Sequence, residues 1–268
     1  MKRELAILGI VIGIVVGFAV GWLIPGLFTE TAPTPLFDQI QDRGYIIVGT
    51  SADYPPFENK TYPGGEIVGF DIDVSQMIAD ALGVTLQMQD ISFDSLIGAC
   101  KAGTIDMIAA AMTYTALRAA QLAASMTYFS VSQVVIVRND SLIFPAPISN
   151  LTDLITYDVG CQSGTVMQDE LDAIPGINVF TYASADILIQ DLNAGGIDAA
   201  YVDGPIFTAW EGTYDLRLIY GSAEEPLALW TRHGEPALLY EINKVIFDSY
   251  QDGSMYALIN QWFGNVTT

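Results

Sequence analysis

The chain has 268 residues, 51% of them apolar, which is material for two modest domains or one large one. Asp and Glu outnumber Lys and Arg by 31 to 10 and no basic stretch breaks that excess, so the surface field repels phosphate backbones and excludes nucleic acid as a partner. Two cysteines far apart and a single histidine, His233, supply no disulfide framework, metal-ligand spacing or nucleophile–base pair, so neither a metal, a cofactor nor catalysis is expected.

After Met1-Lys2-Arg3-Glu4 the run from Leu5 to Phe28 is uncharged, about the length that crosses a hydrocarbon core. Lys2 and Arg3 favour a cytoplasmic N-terminus. Residues 1–28 therefore read as a transmembrane anchor helix, with a cleaved signal segment as the alternative. All that follows is expected on the extracytoplasmic face of the cell membrane. Residues 29–35, TETAPTP, are polar and Pro-rich and suit a linker. Triplets beginning at Asn59, Asn139, Asn150 and Asn265 fit the N-glycosylation pattern and agree with that location, although turn-rich composition produces the same triplets.

The folded body starts near Leu36. Tyr45–Gly49 reads as a strand, and a helix from about Asp73 places Val74, Met77, Ile78, Ala81 and Leu82 on one face before Gly83 stops it. Val84, Leu86 and Met88 alternate as a strand, Asp94–Ala102 is helical, and Ile105–Ala110 is a buried strand. The plan then recurs with strand Tyr157–Cys161, helix Val166–Ala173, strand Val179–Tyr182, helix Ala185–Asn193 and strand Ile197–Val202. Ala102-Gly103-Thr104-Ile105-Asp106 is echoed by Ala194-Gly195-Gly196-Ile197-Asp198, each a helix stop before a buried strand. The fold class is α/β with two lobes, each a βαβαβ-based sheet covered by helices. Ser132–Arg138 and Leu227–Arg232 flank the second unit and read as crossings, and helices Pro236–Asp252 and Ser254–Phe263 return to the first. Residues 36–131 with 228–268 form one lobe and 132–227 the other, with a hinge where the chain crosses twice.

Parallel sheets bind ligands at the carboxyl ends of their strands. The loops there hold Tyr54, Phe93, Thr113, Arg118, Gln162, Thr165 and Asp203. One cation, several hydroxyls, aromatic faces and a carboxylate match a zwitterion. Arg118 grips a carboxylate through its fork, aided by backbone N–H groups at helix starts after Thr115 and Thr165. Asp203 accepts from an ammonium, while Tyr54 or Phe93 covers the apolar part. Each has a plainer role open to it: Arg118 as a surface residue, Asp203 as a helix cap, the aromatics as core.

Val48-Gly49-Thr50-Ser51-Ala52-Asp53-Tyr54-Pro55-Pro56-Phe57-Glu58 followed by Val68-Gly69-Phe70-Asp71-Ile72-Asp73 resembles the opening signature of the polar amino-acid-binding extracellular proteins of ABC transporters, which have the periplasmic-binding-protein type II, or Venus flytrap, fold. Further matches follow in order at Phe93-Asp94-x-Leu96-Ile97, Met112-Thr113-x-Thr115-x-x-Arg118, Gln162-Ser163-Gly164-Thr165, Gly196-Ile197-Asp198-Ala199-x-x-x-Asp203 and Trp262-Phe263-Gly264, so the resemblance spans Leu36 to Gly264. It implies that Arg118 binds a ligand α-carboxylate with Thr113 and the backbone at Thr165 and Val166, and that Asp203 binds the α-ammonium. It further implies that Tyr54 and Phe93 sandwich the side chain while Ser51, Asp71, Ala111 and Gln162 tune specificity. Many relatives carry Asp where this chain has Ser51, which favours a polar or neutral amino acid. The implied partner is an ABC permease, with the membrane reached through the N-terminal helix. A sensory module for a signalling partner and a dehydratase-like enzyme on the same fold are the alternatives.

Overall fold

The computed structural model describes residues 34–264; the apolar run 5–28, the linker before Thr34 and the triplet at Asn265 lie outside the described residues. Among the described residues no helix is long and apolar enough to cross a membrane. Helix α1 (Leu36–Arg43) leads into β1 (Tyr45–Thr50). A small antiparallel sheet of β2 (Asp53–Tyr54), β3 (Glu58–Lys60) and β4 (Ile67–Val68) follows. Gly69 then turns the chain at φ 148°, where a Cβ would lie 2.0 Å from the Phe57 carbonyl oxygen, so only glycine fits between that small sheet and helix α2 (Phe70–Leu82). Strand β5 (Thr85–Asp90), a 3-10 turn at Phe93–Ser95, α3 (Leu96–Ala102), β6 (Met107–Ile108) and α4 (Ala116–Ala119) complete the first βαβαβ unit.

The second unit repeats the plan with β8 (Asp158–Gln162), α5 (Val166–Asp172), β9 (Asn178–Tyr182), α6 (Ala185–Ala194), β10 (Ala199–Asp203) and α7 (Gly204–Trp210). Two 16-residue strands, β7 (Ala123–Arg138) and β11 (Leu216–Thr231), pair antiparallel and join the units. Helices α8 (Pro236–Asp252) and α9 (Ser254–Phe263) close the chain. Instead of a separate sheet in each half, one eight-stranded sheet runs β5-β1-β6-β11-β7-β10-β8-β9, because both long strands hydrogen-bond into it. Its order is symmetric about the β11–β7 pair. Within each unit the outer strands run parallel, as βαβ crossovers require.

The glycine echo has a structural meaning. Gly103 and Gly195 end α3 and α6 at φ 74° and 81°, and in each case an arginine guanidinium from the end of a long strand, Arg232 or Arg138, packs against the glycine. Arg138 donates to the Leu192 carbonyl at 3.1 Å, one of the orphan acceptors at a helix C-terminus. The apolar face of α2 buries Val74, Ile78 and Leu82 with Ile242, Ile246 and Met255 of α8 and α9. At the chain end Phe263 lies 4.6 Å from Phe129, 5.1 Å from Phe57 and 5.2 Å from Phe70 by ring centroid, which ties α9 to β7 and to the β2–β3 hairpin.

Several boundaries differ from the pattern reading. Helix α2 starts at Phe70 and not Asp73. Strand β6 keeps only Met107 and Ile108 of the expected Ile105–Ala110, because the chain then bends away to a positive φ of 43° at Ala111. Strands β7 and β11 begin well before Ser132 and Leu227, each early segment pairing antiparallel with the far end of the other strand and mixing buried residues such as Tyr128 and Ile219 with exposed ones.

Candidate functional site

The carboxyl ends of β1, β6, β8 and β10 converge on a narrow pocket between the two units. It is lined by Ser51, Tyr54, Glu58, Phe93, Ala110, Ala111, Thr113, Arg118, Gln162, Thr165, Val166, Met167 and Asp203. Ten of the eleven residues singled out from the sequence are in this lining. Asp71 is the eleventh and lies beneath it.

Arg118 is positioned by a short helix. The Thr115 side chain accepts from the Arg118 N–H at 3.1 Å, an N-cap that starts α4 and turns the guanidinium inward. The side chain is 7% exposed and donates to the Thr113 carbonyl at 2.7 Å and, across the cleft, to the Gly164 carbonyl at 3.0 Å. It also stands 5.5 Å from the centre of the Phe93 ring. Burial lowers its pKa to about 10, which leaves it charged at neutral pH. Among the described residues no carboxylate pairs with it, so its charge has neutral partners only.

At the other end the shortage is of donors. Asp203 precedes α7 but makes no side-chain cap bond, so the plainer reading of it as a helix cap does not describe it. Its Oδ2 accepts from the Tyr54 hydroxyl at 2.9 Å, and its buried Oδ1 has no partner. Burial raises its pKa to about 7. Glu58 is wholly buried and neither of its oxygens meets a donor. The Asp71 carboxyl faces it, and two carboxyls bond only when one keeps its proton. Burial first, then the charge of Asp71, pushes Glu58 well above the usual carboxylate range, so the proton belongs to Glu58.

Asp71 serves the pocket from below. It accepts from the Ala111 N–H at 2.7 Å and from the Tyr128 hydroxyl at 2.8 Å, and burial raises it to about 7. The Ala111 bond holds a non-glycine residue in left-handed backbone at the pocket wall. Ser51 and Gln162 both turn toward Asp53, Ser51 Oγ at 2.8 Å and Gln162 Nε2 at 3.1 Å. Thr165 caps α5 by accepting from the Gln168 N–H at 3.4 Å and donates to the Gln162 carbonyl at 2.7 Å, which sets Val166 and Met167 against the pocket.

Glu58 enters the sequence reading only as the last residue of the opening motif, with no role of its own. Tyr54 and Glu58 are register partners in the β2–β3 hairpin, so a pocket that takes one takes the other, but strands this short leave no sequence signal of the pairing. Ala110 and Met167 carry no chemical signature of their own. Cys100 and Cys161 are buried, and burial pushes both thiols up to about 12, far from nucleophilic.

The family model of the bacterial extracellular solute-binding proteins, family 3, matches residues 46–265. This chain belongs to that family. The arginine-binding extracellular protein ArtP of Bacillus subtilis (strain 168) is 29% identical over 225 residues, 81% of this chain and 86% of ArtP. The holo structure of ArgBP from T. maritima shares 35% identity and a TM-score of 0.76, covering 84% of this chain and 99% of that one. The ancestral amino-acid-binding protein AncCDT-1, a precursor of cyclohexadienyl dehydratase, shares 29% identity and a TM-score of 0.78 over 85% of this chain and 99% of its own. The solute-binding protein therefore has the two-lobed α/β fold expected from its sequence, and its place is extracytoplasmic.

Proposed function

We propose that this solute-binding protein captures an amino acid with a cationic side chain, arginine foremost, between its two lobes and presents it to an ABC permease. The lobes are residues 36–131 with 228–268, and residues 132–227. The observation that carries the reading is the separation of two unmet needs: a buried guanidinium without a carboxylate at one end, and buried carboxyl oxygens of Asp203 and Glu58 without donors at the other. An α-carboxylate completes Arg118 through its planar fork. An α-ammonium supplies the donor that Asp203 Oδ1 lacks. A second cation on the side chain replaces the proton on Glu58, with Tyr54 and Phe93 flanking the aliphatic stem.

Ser51 argues for a polar or neutral side chain, since it removes a carboxylate that many relatives have. Glu58 restores the lost charge from the neighbouring hairpin strand. The names of ArtP and ArgBP support the same choice. Calorimetric titration of the purified chain, stripped of carried-over ligand, separates the two. Arginine or lysine binding at least tenfold tighter than glutamine supports the cationic reading, and the reverse order assigns a neutral ligand. No heat from any of the twenty amino acids sinks both.

A further inference from the structure

Asp53 lies at the start of β2 and does not line the pocket. Its bonds nevertheless cross the cleft. On its own unit Oδ1 accepts from Ser51 Oγ at 2.8 Å, whereas Oδ2 accepts from the Ala185 N–H at 2.7 Å and from Gln162 Nε2 at 3.1 Å, both on the second unit. Ala185 is the first residue of the ten-residue helix α6, and Ser184 before it makes no side-chain cap bond. The first N–H groups of a helix have no partner within it, and an N-cap side chain usually takes one of them. Here a carboxylate from the opposite unit takes that place, where the helix dipole also favours negative charge.

We infer that Asp53 is a positioning residue, a clasp that fastens the closed form from outside the pocket and sets how tightly a ligand is retained without touching it. The bonds to Ala185 and Gln162 are made only when the units are shut, so their free energy is part of the closed state and absent from the open one. Ser51 belongs to the clasp as the residue that orients the carboxylate. The charged groups around the clasp are Asp186 on α6 and Asp90 on β5, and Asp90 pairs with Lys60 on β3. No cation reaches Asp53 itself among the described residues. Its partners are N–H and O–H donors, and backbone and amide donors break without leaving a buried cation behind, as a reversible fastening requires.

The inference rests on closure of the lobes and not on the identity of the ligand. The full chain, spin-labelled at the exposed positions Lys101 and Asp172 on the two units, reports closed and open populations by pulsed dipolar spectroscopy, with and without saturating arginine. Asp53→Ala is expected to lower the closed-to-open ratio roughly tenfold to a hundredfold, the range for a hydrogen bond to a charged group. Ala185→Pro removes the donor at a helix position that tolerates proline and is expected to act in the same direction. The double variant is expected to lose no more than Asp53→Ala alone, and Asp53→Asn, which keeps an acceptor oxygen, to fall between it and the parent. Arginine dissociation is expected to quicken in step. A closed-to-open ratio in Asp53→Ala and Asp53→Asn equal to the parent's overturns the clasp, as does a parent that is wholly open in both conditions. If arginine leaves the parent's ratio unchanged, the cationic-ligand reading fails, and the ligand-free comparison still decides the clasp.

Discussion

At one end of the pocket Arg118 rests on two carbonyl oxygens and the face of Phe93, while at the other Glu58 and Asp203 present carboxyl oxygens with no donor against them. Both ends are buried to a similar degree, yet burial acts on them differently. A guanidinium spreads its charge over a planar fork and stays ionised when desolvated. Three carboxyls in one dry cluster cannot all ionise, and Glu58, Asp71 and Asp203 are each pushed upward by burial. The cationic end is thus ready for its ligand as it stands, whereas protons hold the places that donors will take at the acidic end.

The sharpest way to break this comparison is to remove the ready end. Arg118→Ala should weaken arginine binding by about 3–5 kcal/mol, since it strands the ligand carboxylate in a closed site; calorimetry reading the parent's affinity would refute the role. At the acidic end, Glu58→Gln keeps the shape and removes the charge. It should cost arginine about 2 kcal/mol and leave glutamine within about twofold of its parent value. An equal loss for both ligands would mean that Glu58 supports the pocket without reading the side chain.

Protons offer a milder test. The folded pKa values of Asp71 and Asp203, about 7, stand above the unfolded value of 3.8, so the native state binds more protons than the unfolded state between those limits. Their contribution to stability is complete below about pH 4 and is lost as pH rises through 7. The ligand-free protein should therefore melt several degrees higher at pH 5 than at pH 8, and saturating arginine should flatten the difference by taking the protons' place. A melting point that rises toward pH 8 without ligand contradicts the arrangement. The smallest effect belongs to Tyr128→Phe, which removes one donor from Asp71. It should lower stability by about 1 kcal/mol in denaturant titration and leave arginine affinity nearly unchanged.

Much of this arrangement is legible in the sequence. Strand ends carrying Arg118 and Asp203 name a zwitterion because a two-unit α/β chain brings those ends together. Glu58 and Asp53 stayed hidden for different reasons. Glu58 depends on a three-residue strand, β3, too short to show an alternating pattern. Asp53 gains its role from Ala185, a residue with no chemistry beyond its backbone N–H. The early starts of β7 and β11 escape the pattern because their buried and exposed residues do not alternate with period two, and the pair carries register shifts between Leu218 and Tyr220, Gly221 and Glu224, and Leu227 and Trp230.

The long antiparallel pair also fixes an order of completion along the chain. Everything the second unit needs, from the later half of β7 to the earlier half of β11, is contiguous in the chain, so it can fold without waiting for a distant segment. The first unit cannot. Its helix α2 packs on α8 and α9, which follow the whole second unit in the chain, and until they arrive the apolar face of Val74, Ile78 and Leu82 has no cover. The unit that comes first in the chain is completed after the second, and until then it carries an exposed apolar surface.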